Sequence, residues 1–234
     1  MFKTGLGGEI KLIRVTGDTH GEHGRFIYAH NNKEWDEGDI IIVCGDFGYI
    51  FRNNEEEKKF LDDIESWPYT FCFVDGNHEN FAVINSLPVE TWNGGKVHKV
   101  RNNVYHLMRG QVFQIEGKKI FTFGGAYSMD RIFRTLNRSY WEEEIPNGKE
   151  YKEAVENLRK HDNKVDYILT HTAPREMILR MGFTPHDREL ELAGFLEFLM
   201  HEIEHKHWFC GHWHKDLDLS DKFTVLWFET RILE

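Results

Sequence analysis

Phe209-Cys210-Gly211-His212-Trp213-His214-Lys215-Asp216 is the stretch on which the reading of this chain turns. Imidazoles at alternate positions of an extended segment point to the same side. His212 and His214 follow an apolar run, Lys206-His207-Trp208-Phe209-Cys210, that reads as a buried strand. Two rings hung side by side past a strand end form a pair of nitrogen donors, and the question is what they hold.

Further donors lie at the ends of other runs. Short β-rich apolar runs recur at Ile10–Thr16, Asp39–Cys44, Thr70–Val74, Lys119–Phe123, Val165–Thr170, His207–Cys210 and Phe223–Glu229. Gly17-Asp18-Thr19-His20-Gly21 follows the first, Gly45-Asp46-Phe47-Gly48 the second and Asp75-Gly76-Asn77-His78-Glu79 the third. Thr170-His171-Thr172-Ala173-Pro174 follows the Val165 run, and Gly211-His212-Trp213-His214 closes the series.

Helical patterns separate several of these runs. Glu55–Trp67 aligns Phe60, Leu61, Ile64 and Trp67; Glu150–His161 aligns Tyr151, Ala154, Val155 and Leu158; Arg188–Lys206 aligns Leu192, Leu196, Leu199 and Ile203. The alternation predicts an α/β fold with parallel strand pairs. Strand–turn–strand runs around Val104–Phe123 and Phe209–Phe228 predict that part of the sheet is antiparallel. No repeat, low-complexity tract or linker interrupts residues 1–234, so one domain is expected. Open α/β sheets bind ligands at the carboxyl ends of their strands. The first three clusters are spaced by about 30 residues, one strand–helix–strand crossover, which returns the chain to the same edge. The clusters are therefore expected to converge.

Together they offer Asp18, Asp46, Asn77, His20, His171, His212 and His214, with His78 besides. Imidazole, carboxylate and amide oxygen suit Mn²⁺, Fe or Zn²⁺. Seven donors are too many for one ion but suit two that share a carboxylate, about 3.5–4 Å apart.

Asp-x-His, Gly-Asp, Gly-Asn-His-Glu, a lone His and Gly-His-x-His, in this order from Asp18 to His214, resemble the calcineurin-like metallophosphoesterase superfamily. The resemblance implies a four-layer sandwich of two mixed β-sheets flanked by helices. It implies that Asp18, His20 and His214 hold a first ion, that Asn77, His171 and His212 hold a second, and that Asp46 bridges them. It further implies a phosphoesterase acting on a phosphomonoester or phosphodiester, nucleotide-type substrates favoured, through a hydroxide bridging two divalent ions. Manganese is the favoured metal, with iron or zinc as alternatives. His78 would protonate the leaving group, a role typically contributing about 10²–10⁴-fold.

Two positions depart from the Gly-Asp-x-x-Asp-Arg pattern of the phosphoprotein phosphatases. Tyr49 stands where a carboxylate would orient His78, and Ile50 where an arginine would grip phosphate. This argues against that branch and leaves Asp75 or Glu79 to orient His78. Arg131 and Arg134, in the segment after Lys119–Phe123, are candidates to bind substrate phosphate if that segment turns helical. The plainer expectation is a solvated loop pairing with Glu142-Glu143-Glu144.

Composition sets bounds. Hydrophobic residues are 40% and charged residues 29% of the 234, a soluble globular mix. A net charge of −10 argues against non-specific duplex nucleic-acid binding. No apolar run approaches the ~20 residues of a membrane span. Met1-Phe2-Lys3-Thr4-Gly5 opens no signal peptide, and Cys44, Cys72 and Cys210 read as reduced buried thiols, so a cytoplasmic location is expected. Oligomeric state leaves no mark.

Other readings compete. A lone histidine beyond a strand is usually structural, and His23, His98 and His207 are so read; five ordered clusters demand more. His201-Glu202-Ile203-Glu204-His205 matches the zinc-protease pattern, but a helical wheel places both rings opposite the apolar stripe. Gly5-Leu6-Gly7-Gly8 reads as a turn. A metal-binding scaffold of the same fold without turnover is the alternative outside catalysis.

Overall fold

The computed structural model describes residues 11–234, so the Gly5–Gly8 turn lies outside the described part. The strands are β1 (Ile13–Thr16), β2 (Ile40–Val43), β3 (Thr70–Phe73), β4 (Val89–Trp92), β5 (Gly95–Arg101), β6 (Val104–Leu107), β7 (Gln111–Ile115), β8 (Lys118–Phe123), β9 (Tyr167–Thr170), β10 (His207–Cys210), β11 (Leu217–Ser220), β12 (Phe223–Val225) and β13 (Thr230–Ile232). The helices are α1 (His23–Asn31), α2 (Glu55–Glu65), α3 (Phe81–Ile84), α4 (Gly148–Lys160), α5 (Arg175–Arg180) and α6 (Leu190–Glu202).

Two mixed sheets result, one ordered β13-β1-β2-β3-β6-β5-β4 and the other β11-β12-β10-β9-β8-β7. Within the first, β1, β2, β3 and β6 run parallel. Within the second, β8, β9, β10 and β12 do.

The layering follows from the pleat. β2, Ile40-Ile41-Ile42-Val43, is buried on both faces, and its successive side chains point opposite ways. Ile40 and Ile42 enter the core between the sheets with Val15, Leu169 and Phe209. Ile41 and Val43 enter a second core beneath α1 and α2, with Phe26, Phe60 and Ile64. α4, α5 and α6 cover the far face of the other sheet through Leu158, Ile178 and Leu196. Helix, sheet, sheet and helix thus form four layers.

Local signals set the helix starts. Asn54 accepts a hydrogen bond from Glu57 N at 2.9 Å, and Glu55, Glu56 and Glu57 in the first turn of α2 complement its dipole. Asn147 and Glu150 form a reciprocal capping box on α4.

Three expectations are refined. The Phe223–Glu229 run is not one strand: β12 stops at Val225, and β13 pairs with β1 in the other sheet. The Phe209–Phe228 region is antiparallel only between β11 and β12, because β12 lies parallel to β10. α6 ends at Glu202, and Ile203 is extended, so His201 and His205 do not share a helix. His201 is exposed, while His205 packs on Trp208.

Candidate metal centre

The loops after β1, β2, β3, β9 and β10 meet at one edge, and their backbones are bent to do so. His20, Asp46, His212 and His214 have φ of 47°, 51°, 67° and 47°, in the left-handed region. That conformation costs a non-glycine residue about 1–2 kcal/mol, and such strain concentrates where side chains must be aimed. Gly45, with φ 89°, has no room for a side chain either, since a Cβ there would strike the His171 ring.

Asp18, Asp46, Asn77 and His171 are all buried. His20 Nε2 and His214 Nε2 lie 2.9 Å apart, with Asp18 Oδ2 at 3.6 Å from the first and 3.1 Å from the second. Asp46 turns Oδ2 toward His20 Nε2 at 3.8 Å and Oδ1 toward His171 Nε2 at 3.4 Å. His171 donates from Nδ1 to the Cys44 carbonyl at 2.8 Å, which aims Nε2 inward, 3.1 Å from Asn77 Oδ1. Asn77 Nδ2 donates to Ser128 Oγ at 3.2 Å, and this fixes its Oδ1 toward the centre. The His212 ring meets His171 edge-on, centroids 4.9 Å apart, and its backbone N–H donates to Asp18 Oδ1 at 2.8 Å.

Electrostatics show what the donors require. Burial opposes the charge on Asp18, but the adjoining rings of His20 and His214 and the nearby His171 hold its carboxyl at about 2. Asp46 is likewise buried and is kept far below the carboxylate range, chiefly by His171. Burial disfavours a charged His171, yet Asp46 and then Asp18 raise it to about 10. Burial drives His212 down to about 3. Two buried carboxylates, with no lysine or arginine side chain paired to them among the described residues, thus draw positive charge onto a neighbouring ring. Asp18 Oδ2 also has no hydrogen-bond partner among the described residues. Such an unsatisfied anion in a cage of imidazoles fits a divalent cation. Three overlapping groups have donor atoms within 4.8 Å of one another: Asp18, His20 and His214; His20, Asp46 and His78; and Asp18, Asp46 and His171.

His78 lies beside this set. Its backbone N–H donates to Asp46 Oδ1 at 2.7 Å, and its ring meets His20 edge-on. Burial, with Arg134 contributing, lowers its pKa. Neither expected orienting group reaches it. Glu79 accepts from Phe47 N and Gly76 N at 2.7 and 2.6 Å, while Asp75 pairs with Arg109 and His106. Arg134 faces His78 instead, Nη2 to Nε2 at 2.8 Å. Tyr49 and Ile50 belong to the core beneath α1 and α2.

Residues 131–133 form one turn of 3₁₀ helix, which separates the two arginines. Arg131 is held by Glu144 at 3.1 Å and Glu142 at 3.3 Å, and by the rings of Tyr127 and Tyr140. Glu144 in turn accepts from Ser128 N at 3.1 Å, so Arg131 braces the residue that orients Asn77. Ser128 and Trp227, whose indole stacks on His214 at 5.2 Å, were not apparent in the sequence. Ser128 comes from a segment far along the chain from Asn77, and Trp227 from beyond the β11–β12 hairpin that follows His214.

No curated relative matches the chain. No described helix is long and apolar enough to cross a membrane. The family model for calcineurin-like phosphoesterases matches residues 12–216, a span that holds every donor of the centre; the chain belongs to that family.

Proposed function

We propose that the protein is a binuclear-metal phosphoesterase that hydrolyses a phosphomonoester or phosphodiester, nucleotide-type substrates included. The observation that carries this reading is the carboxylate of Asp46, whose two oxygens face His20 on one side and His171 on the other. Asp18, His20 and His214 make one cation site, Asn77, His171 and His212 the second, and Asp46 belongs to both. Two divalent ions there, manganese favoured and iron or zinc suited to the same donors, supply a water made nucleophilic at neutral pH and neutralise charge on phosphoryl oxygens.

The chain's own residues do the rest. His78 stands beside the shared carboxylate and protonates the departing oxygen from Nε2. In the structure Nε2 accepts from Arg134. An incoming phosphate, a stronger acceptor than a neutral ring, takes that guanidinium and frees Nε2 to take up a proton from solvent, which it then passes to the departing oxygen. Cys44, Cys72 and Cys210 are free thiols, buried in the core, in keeping with a cytoplasmic location for this domain.

Elemental analysis and turnover of p-nitrophenyl and bis-p-nitrophenyl phosphate under Mn²⁺ test the reading. The expected result is about two ions per chain with turnover. His78→Asn should keep the metal and lose more rate on poor leaving groups than on good ones. Two ions without turnover would leave only a metal-binding scaffold.

A further inference from the structure

On the side of His20 and His78 the centre opens into a cavity of about 190 Å³. We infer that this cavity receives the leaving group of the substrate, and that the group is a single planar ring with a hydrogen-bonding edge. The inference rests on the phosphoesterase reading and adds the substrate class.

Position is the first argument. Donor atoms of His20, Asp46 and His78 lie within 4.8 Å of one another. A phosphoryl group held there turns its departing oxygen toward His78, and the carbon attached to that oxygen continues into the space His20 and His78 line. Size is the second. An apolar cavity of about 150 Å³ holds one benzene, whereas pockets for drug-sized ligands start near 300 Å³. The present volume takes one six-membered ring with a small substituent, and leaves most of a nucleoside outside.

The walls supply the third argument. Phe51 lines the cavity, its ring centroid 5.6 Å from that of His78 and tilted by 45°. His23 lines it too, held against Phe60 at 3.9 Å and stacked near Tyr49 at 5.3 Å. A flat ring laid against Phe51 or His23 gains about 0.5–1.5 kcal/mol beyond its area burial. The walls are also preformed. Glu57 accepts from Arg52 N and Asn53 N, each at 2.7 Å, and so fixes the chain just beyond Phe51. His23 Nδ1 is buried without a partner among the described residues, which leaves Nε2 as the ring atom available to a polar edge. Arg52, which makes no ion pair among the described residues, adds a polar mouth unsuited to an alkyl chain.

The test is calorimetric binding of benzylphosphonate and ethylphosphonate to the Mn²⁺-loaded protein. They are non-hydrolysable counterparts of a phenyl and a methyl ester. Benzylphosphonate should bind about tenfold more tightly, and Phe51→Leu should cut that ratio below about threefold. Phe51→Tyr should keep it. Equal affinities, or a ratio that survives Phe51→Leu, would overturn the ring while leaving the phosphoesterase reading intact. If neither ligand binds protein that holds its two ions, both readings fall.

Discussion

Arg134 places Nη2 2.8 Å from Nε2 of His78, while its Nε is held by Asp130 at 2.7 Å. A fixed cation therefore stands at the ring atom assigned to proton transfer. Arg134→Ala should lower kcat/KM on p-nitrophenyl phosphate by roughly 10–100-fold, the scale of one lost charge-assisted hydrogen bond. Arg134→Lys should recover part of it. A change within twofold would remove Arg134 from substrate binding.

Arg131 is expected to behave differently. Its partner Glu144 is fully buried, and burial raises the pKa of that carboxyl against the pull of Arg131. Removing the cation strands a buried carboxylate, at a cost of about 3–5 kcal/mol. For a chain of this size, Arg131→Met should lower Tm by about 10 °C. The double variant with Glu144→Gln should restore most of it. Scanning calorimetry decides, and an unshifted Tm would show the pair to be inert.

Trp227 stacks on His214 with their planes 14° apart. Asp216 pins the indole's loop by accepting from Trp227 N, Phe228 N and Glu229 N at 2.8, 3.1 and 3.0 Å. Trp227→Ala should weaken one of two Mn²⁺-binding events about tenfold, the low end for loss of a group that orients a ligand, and Trp227→Phe should not. Equal titrations for all three proteins would deny the indole any role. In the parent protein, chelating the metal from about 100 times its Kd should lower Tm by roughly 5–10 °C.

His98 and His106 stack with Nδ1 atoms 3.0 Å apart, and His106 Nε2 meets Asp75 at 3.0 Å. Burial, then His106, depresses the pKa of His98 to about 4. The unfolded chain takes up a proton near 6.5, and the folded one does so only near 4. Stability from this group is therefore present above pH 6.5 and lost progressively as pH falls toward 4. His98→Gln should lose less stability than the parent in urea melts compared at pH 7 and pH 4.5. Identical losses would rule the ring out as their source.

The candidate donors were legible because their signals are local. Asp18, Asp46, Asn77, His171, His212 and His214 each follow an apolar run, and crossover length places successive strand ends at one edge. The helices read at Glu55–Trp67, Glu150–His161 and Arg188–Lys206 declared themselves by apolar periodicity. α1, with only Phe26 and Ala29 buried, carried too thin a stripe to be seen.

Long-range pairing decided the remainder. Nothing near Thr230 shows that it leaves the β12 sheet to lie against Thr16. Asp and His enter the left-handed region more readily than most non-glycine residues, but that preference is too weak to forecast the turns at His20, Asp46, His212 and His214. Arg131 and Arg134 look equivalent in sequence, yet one 3₁₀ turn sends the first to Glu144 and the second to His78. Residue type and spacing determined which chemistry this chain carries. Only the packed tertiary structure decided which neighbour each side chain meets, because that depends on loops closing between residues as far apart as His20 and His214.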